Sequence, residues 1–270
     1  MEIHNLSLLK WELVGTKPHY WRLWEQMDEM RIKHPENAPV TARVPGSVQQ
    51  SLLDKGIIPD WNMGTNYRDI EWVENRHWIY FTDIPDNFFD TNRKAVLSCN
   101  GLDGDGEVWL NGQKVGEFNN THLDYRFDVS SFLKTSENRL ALIFFCPERY
   151  QGQVYWTSKT RLNKPRFYYN WDWCPRIIQT GIWDAICIEI MEEVAIEQLY
   201  SYTDVDIETK NGKLQLKAAF SAEITNEIIK ICLKDIDDVC IFNKTFPAEN
   251  FCESVDIDLP QTYKSNFMKF

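Results

Sequence analysis

The chain has 270 residues, of which 43% are hydrophobic, and it carries a formal net charge of −11 at pH 7. The hydrophobic content is enough for packed cores and excludes global disorder, while the acidic balance argues against nucleic acid and anionic membrane surfaces as partners. No apolar stretch approaches the roughly 20 residues of a membrane span. The length predicts two domains, and a neutral, polar ligand is compatible with the charge.

The N-terminal segment has no recognisable secretory signal, because it carries charges at Glu2 and Lys10 and lacks an apolar core. This favours a cytoplasmic location, whereas a signal removed ahead of this sequence would place the protein in the periplasm, so the compartment stays open. The seven cysteines are widely spaced and form no CxxC pair, which indicates neither a zinc site nor a redox motif. Most are expected to be buried thiols, and neither a metal nor another cofactor is predicted.

The first predicted element is a short helix, indicated by the spacing of Leu23, Met27 and Met30 and ended by Pro35. The next 150 residues read mostly as short strands, and an Asn-Gly pair at 111–112 is the strongest short signal for a β-hairpin. Short strands between turn signals, without alternating long helices, predict a β-sandwich. The strands are expected at 77–81, 95–99, 107–110 and 138–145.

A domain boundary is predicted at Glu192-Glu193, where the composition changes. No tryptophan occurs after Trp183, although the chain has eleven. Beyond the boundary, alternating apolar and polar residues predict half-buried strands of a second sandwich. These strands are expected at 195–199, 213–220 and 227–233.

The most informative motif is Trp171-Asp172-Trp173, in which two large aromatic side chains flank one carboxylate. Carbohydrate sites are commonly built this way, because an aromatic face covers the C–H side of a sugar ring and a carboxylate accepts hydrogen bonds from its hydroxyls. The alternative is a pair of core tryptophans with Asp172 closing a turn. We therefore take Asp172, Trp171 and Trp173 as candidate substrate-binding residues; the sequence does not tell which tryptophan faces the sugar.

This motif belongs to a longer pattern of four stretches. They contain VPGSV and GIIPD within 44–60, WIY within 66–80, GLD, VWLNG and YRFDV within 101–129, and KP, NWDWCPR and GIW within 164–183. In this order they resemble the N-terminal half of β-mannosidases of glycoside hydrolase family 2. Asn170 and Cys174 occupy two positions at which the family usually has glycine. A different backbone shape is therefore expected in this loop.

The resemblance implies an all-β chain. A galactose-binding-domain-like jelly-roll sugar-binding domain would occupy residues 1–192, and an immunoglobulin-like β-sandwich, partial in this chain, would occupy residues 193–270. In the family these precede a TIM barrel that carries two catalytic glutamates. A loop of the first domain reaches the barrel, where the aspartate that corresponds to Asp172 contacts the sugar.

A TIM barrel needs about 250 residues, so the catalytic barrel is expected to be missing from this chain. Retaining glycosidases place two carboxyl groups about 5 Å apart, yet most acids near predicted loops have a simple structural use. Those acids are Asp103, Asp105, Glu107 and Asp124.

No catalytic residue is predicted in the chain. It is expected to be the non-catalytic front of an exo-glycosidase of the β-mannosidase or β-galactosidase type, and inactive alone. The alternative is a free-standing carbohydrate-binding or structural β-sandwich.

Overall fold

The computed structural model of the protein describes residues 2–18, 38–89, 93–148, 156, 158, 162–192, 194–206, 208, 212–224, 226–234, 238–253 and 255–259. The chain divides into two compact units, Met1–Met191 and Glu192–Phe270. The helix predicted around Leu23 to Met30 lies outside the described residues. None of the described helices has the length and apolar character needed to cross a membrane.

In its described parts, the first unit consists of short strands joined by turns, one α-helix and several 3₁₀ helices. The strands are β1 Glu2–Asn5, β2 Trp11–Thr16, β3 Val40–Ala42, β4 His77–Ile84, β5 Ala95–Cys99, β6 Leu102–Asp103, β7 Gly106–Leu110, β8 Gln113–Phe118, β9 Tyr125–Asp128, β10 Asn138–Phe144, β11 Gly181–Ile182 and β12 Ile186–Ile190. The helices are α1 Val48–Asp54 and the 3₁₀ turns Leu6–Leu8, Asn66–Arg68, Glu71–Asn75, Asp86–Phe88, Ser130–Phe132 and Arg166–Tyr169.

Two antiparallel sheets form the sandwich. One has the strand order β1-β12-β5-β9, the other has the order β3-β2-β4-β10-β7-β8, and a small pair β11-β6 lies beside them. The β7–β8 hairpin turns at Asn111 and Gly112, with φ angles of 54° and 80°. Two successive positive φ angles suit this pair and match the twist of the flanking strands. The predicted strands of this unit and its hairpin are confirmed.

The main core lies between the two sheets. Residues from the six-stranded sheet, among them Trp78, Tyr80 and Leu142, pack with Leu97 and Ile188 of the four-stranded sheet. Strand β4 is buried on both of its faces at most positions, since its alternate side chains join a second apolar cluster. This explains why its sequence reads as a continuous apolar run and lacks alternation.

The second unit is also built from antiparallel strands in its described parts. It contains a three-stranded sheet β13-β14-β17 and a hairpin β15-β16, and its core holds Leu216, Ile231, Phe251 and Ile257. The predicted strands of this region and the all-β fold class are confirmed. The elements are β13 Ile196–Val205, β14 Gly212–Phe220, β15 Ile228–Lys234, β16 Cys240–Pro247, α2 Asn250–Glu253 and β17 Val255–Leu259.

Candidate functional site

The Trp-Asp-Trp motif forms a tight turn in the first unit. The backbone N–H of Trp171 donates to the carbonyl of Cys174 at 3.2 Å, and the N–H of Cys174 donates to the carbonyl of Trp171 at 3.3 Å. This reciprocal pair places Asp172 and Trp173 at the tip. Outside this pair, the N–H of Ile177 donates to the carbonyl of Tyr168 at 3.0 Å. The residues on either side of the turn, which form its base, are therefore also joined by a hydrogen bond.

The three candidate side chains differ in exposure. Trp173 is 80% exposed and Trp171 is 38% exposed, and Asp172 between them is also exposed. The two indole rings meet edge to face, with centroids 5.7 Å apart and an interplanar angle of 68°. Trp171 thus supports its neighbour, and the face of Trp173 is left open to solvent or to a ligand. These tryptophans do not form the core pair that the structural alternative requires.

The cation nearest in sequence to the turn, Arg176, is engaged elsewhere. Its Nε lies 2.9 Å from Glu74 Oε1, its Nη2 lies 2.8 Å from the same oxygen, and its guanidinium also stacks on the ring of Tyr169 at 5.1 Å. This pair ties the base of the turn to the segment before β4. Within the described residues, no side chain forms an ion pair or hydrogen bond with Asp172, so its carboxylate is available to an external donor.

The residue before the turn has an unusual backbone. Asn170 adopts φ 111° and ψ 140°, a conformation that glycine reaches freely and that an L side chain reaches only with strain. A residue other than glycine at this position was expected to change the shape of the loop. Instead, the chain holds a glycine-type backbone on an asparagine, next to the candidate ligand-binding residues.

Replacing Asn170 with glycine should stabilise the first unit. Relief of backbone strain is worth about 1–3 kcal/mol, and the added freedom of the unfolded chain offsets roughly 0.4–1 kcal/mol of it. We expect a net gain of about 1 kcal/mol in the free energy of unfolding, measured by denaturant titration. Asn170→Ala is the matched control, because it keeps the Cβ; equal stability of the two variants would contradict the strain argument.

A buried ion pair lies close to the base of the site. Lys164 Nζ, whose side chain is 0% exposed, contacts the carboxylate of Asp103 and also donates to the carbonyl of Gln179. Asp103 accepts a further hydrogen bond from the hydroxyl of Thr121 at 2.9 Å. Burial lowers the pKa of Lys164, and Asp103 acts in the opposite direction. The pair therefore fixes the strand β6 to the segment that leads into the turn.

Burial also changes the pKa values of other titratable groups in the first unit. Desolvation raises the pKa of Asp105 to about 6, and Glu148 adds to this rise. Burial likewise raises the pKa of Tyr169, whose hydroxyl has no hydrogen-bond partner among the described residues. Perturbed groups cluster at functional sites, although structural ion-pair networks produce them too. Neither Asp105 nor Tyr169 belongs to the tip of the turn, which consists of Asp172 and Trp173.

Two adjoining clefts open near the turn. One, of about 470 Å³, lies against Cys174 and Pro175, and the other, of about 530 Å³, lies against Trp183. They share Trp61 and Tyr168 as a common wall. Both have aromatic and polar residues in their lining, but Trp171, Asp172 and Trp173 line neither of them.

The structure gives two of the four other candidate acids, Asp103 and Glu107, a structural use. Glu107 accepts hydrogen bonds from Lys114 at 2.9 Å and from the indole of Trp109 at 3.0 Å. Asp124 is an exposed residue outside the strands. The sequence did not indicate that Asp103 pairs with Lys164, because Lys164 stands among other polar and basic residues such as Arg161, Asn163 and Arg166. Within the described ranges, no group of three or more His, Cys, Asp or Glu is placed to hold a metal ion.

An antiparallel jelly-roll sandwich that displays a Trp-Asp-Trp turn defines a galactose-binding-like domain of the kind found in glycosidases. The model of the family described as glycosyl hydrolase 2 galactose-binding domain-like matches residues 21–184. The match extends over more than half of the chain. This protein therefore belongs to that glycosyl hydrolase 2 family.

The relatives agree with this assignment. β-Mannosidase B of Thermothelomyces thermophilus is 28% identical over 190 residues, which cover 66% of this chain and 22% of the relative. β-Mannosidase of Mus musculus is 24% identical over 208 residues, with 69% and 23% covered. The chain thus spans less than a quarter of these two curated relatives.

Solved structures share the fold. The β-D-mannosidase of Dictyoglomus thermophilum aligns with 96% of this chain and 31% of its own, at a TM-score of 0.72 and 22% identity. A β-glucuronidase of Ruminococcus gnavus aligns at a TM-score of 0.61 and 13% identity, with 96% of this chain and 39% of its own covered. The predicted resemblance to family 2 β-mannosidases is confirmed, and the matches give no support to a free-standing binding module.

Proposed function

We propose that this chain is the non-catalytic N-terminal part of a glycosyl hydrolase 2 exo-glycosidase of the β-mannosidase type. Its turn at 171–174 contributes to the sugar site of a catalytic TIM barrel that lies outside these 270 residues. Residues 1–192 act as the sugar-binding jelly roll, and residues 193–270 form an immunoglobulin-like sandwich, wholly or in part. The ligand is a carbohydrate, a β-mannoside or a related glycoside.

The observation that carries this proposal is that Asp172 is exposed and that the nearby cation is engaged elsewhere. Its carboxylate is exposed at the tip of a hydrogen-bonded turn, while the nearby Arg176 is held by Glu74. A structural aspartate at a turn would be expected to accept a local hydrogen bond. An exposed carboxylate beside an open indole face has instead the composition of a sugar site, in which hydroxyls donate to the carboxylate.

Each residue of the turn has a separate role in this proposal. Asp172 accepts hydrogen bonds from sugar hydroxyls, and the more exposed Trp173 covers the C–H face of the ring. Trp171 packs under Trp173 and holds its orientation. The glycine-type backbone at Asn170 fixes the direction in which the tip points, and the strain is the kind found at sites where a precise geometry is needed.

The chain alone should hydrolyse no aryl β-mannoside above background. Glycosidases need a pair of carboxyl groups about 5–9 Å apart across the scissile bond, and three acids of the first unit are committed to other partners. Glu74, Asp103 and Glu107 are paired with Arg176, Lys164 and Lys114.

The measurement is release of the aryl group by the purified 270-residue chain, compared with the same chain extended into a barrel. We expect activity only in the extended protein. Turnover by the pure chain that disappears on a single Asp or Glu substitution would overturn the proposal of a non-catalytic part. An extended protein that cleaves glucuronides and rejects mannosides would keep the architecture and change the substrate class.

A further inference from the structure

Two cysteines of the second unit lie side by side on an exposed surface. The Sγ atoms of Cys232, on β15, and Cys240, on β16, are 3.1 Å apart, and both residues are exposed. The expectation of mostly buried thiols was wrong, because among the six described cysteines only Cys99 is fully buried. The turn site in the first unit does not involve this pair.

An irregularity in the hairpin brings the two sulfurs together. The register places Cys232 opposite Asn243 and Cys240 opposite Lys234, with a shift between Leu233 and Lys234. In a regular ladder these cysteines would not be direct cross-strand partners. A bulge changes the direction of the side chains next to it. Here it brings the two sulfur atoms together near the end of the hairpin.

The distance is short enough for a covalent bond with little rearrangement. A disulfide has a sulfur–sulfur length of about 2.05 Å, so the two atoms must approach by roughly 1 Å. Rotation about the side-chain torsions of exposed cysteines supplies a movement of this size without a change of fold. The pair is also separated by only eight positions in the sequence, so the ring that closes is small.

Two lysines lie next to Cys232 on the strand β15. Lys230 and Lys234 are exposed and flank Cys232 on the same face of β15, since alternate residues of a strand share a face. The hydrogen bond with Cys240 raises the pKa of Cys232, whereas these two lysines act in the opposite direction. Lys234 is itself paired with Asp238 at 3.3 Å, so charges of both signs lie near the two thiols.

We propose that Cys232 and Cys240 form a dithiol modification site that reacts with small soluble disulfides of the glutathione disulfide type. The thiolate of one cysteine attacks a sulfur of glutathione disulfide, which gives a mixed disulfide and releases one glutathione thiolate. The second cysteine thiolate then attacks the protein sulfur of the mixed disulfide and releases the second glutathione. The protein dithiol loses two electrons and two protons, and one glutathione disulfide becomes two glutathione thiols.

The other described cysteines are poorly placed for this exchange. Cys99 is fully buried and its pKa is raised by desolvation; the pKa of the half-buried Cys187 is raised for the same reason. Cys174 and Cys146 are also half-buried, and the latter donates to the carbonyl of Glu74 at 3.1 Å. Because exchange requires an accessible thiolate, the reaction should be selective for the pair in the hairpin.

The test is to equilibrate the folded chain with glutathione and glutathione disulfide, block the free thiols and digest with trypsin. Cleavage after Lys230, Lys234 and Lys244 puts the two cysteines on different peptides, ICLK and DIDDVCIFNK. We expect these peptides to appear as one linked species that reduction separates. The intact chain should form no covalent dimer and should lose the mass of two hydrogens. In Cys232→Ser, Cys240 should stop at the mixed disulfide with glutathione, whereas Cys187→Ser should still form the link.

A second experiment distinguishes two reasons why the thiols could react with each other: their arrangement in the folded hairpin, or only their short separation in sequence. The equilibrium constant for the link, measured in buffer and in concentrated urea, should be at least about ten-fold higher in the folded chain. Equal constants would overturn the proposal. So would mixed disulfides without a link, a link between two chains, or a link that joins other cysteines.

Discussion

If the chain serves the proposed sugar site, replacing Asp172 with alanine in the protein extended by a barrel should lower kcat/KM by ten-fold or more for each hydrogen bond that is lost. A hydrogen bond from a sugar hydroxyl to a carboxylate is worth about 1.5–3 kcal/mol, and each 1.4 kcal/mol corresponds to about a factor of ten. The free energy of unfolding should change by no more than about 0.5 kcal/mol, since the side chain is exposed. Steady-state kinetics on an aryl β-mannoside, together with thermal unfolding, measure both quantities.

The chain offers a matched control for this substitution. Asp124→Ala removes the same group and the same charge from another exposed position of the first unit, so it should leave kcat/KM unchanged. Asp172→Asn keeps the shape of the side chain and removes its charge, and should fall between wild type and Asp172→Ala. Unchanged kinetics in Asp172→Ala, or an equal loss in Asp124→Ala, would withdraw the proposed role of Asp172 while leaving the family assignment intact.

The strands were predictable from the sequence because local pattern decides them. Alternation along 213–220, and the Asn-Gly pair at 111–112, encode their structure within a few residues. The Trp-Asp-Trp turn was likewise found as a motif. The sugar-site interpretation placed Asp172 at the surface, while the alternative of a core tryptophan pair stayed open. Local pattern could not decide between them, because exposure depends on what packs around the turn. Arg176 pairs with Glu74, 102 positions away in sequence, and within the described residues Asp172 has no side-chain partner.

Two features of the structure had no local signal. The partners Asp103 and Lys164 are 61 positions apart in sequence, and no pattern of spacing connects them. Most of the cysteines were expected to be buried, because the type of residue favours burial, and nothing in the sequence singled out those at 232 and 240. Which face of a strand points to solvent depends on the packing of the sheet, and the bulge that joins the two sulfurs depends on the register of the hairpin.

The largest loss of stability is expected from Lys164→Met. It removes the cation and leaves the buried carboxylate of Asp103 with the hydroxyl of Thr121 as its remaining side-chain partner. Breaking a buried pair from one side costs about 3–5 kcal/mol, measured by denaturant unfolding at pH 7. The control is Lys10→Met, which breaks the exposed pair with Glu12 at 3.4 Å and should cost no more than about 1 kcal/mol.

The reverse substitution, Asp103→Asn, should cost less and should depend on pH. Burial already lowers the pKa of Lys164, and removing Asp103 takes away the group that opposes this shift, so the buried amine can lose its proton. The unfolded chain then binds more protons than the folded one, and the stability of the variant should rise as the pH approaches the ordinary lysine value of about 10.4.

The double variant Asp103→Asn with Lys164→Met should recover part of the loss seen in Lys164→Met, because no buried charge remains. Purely additive losses would mean that the two groups do not stabilise one another, and the contact between β6 and the segment before the turn would then be steric in origin.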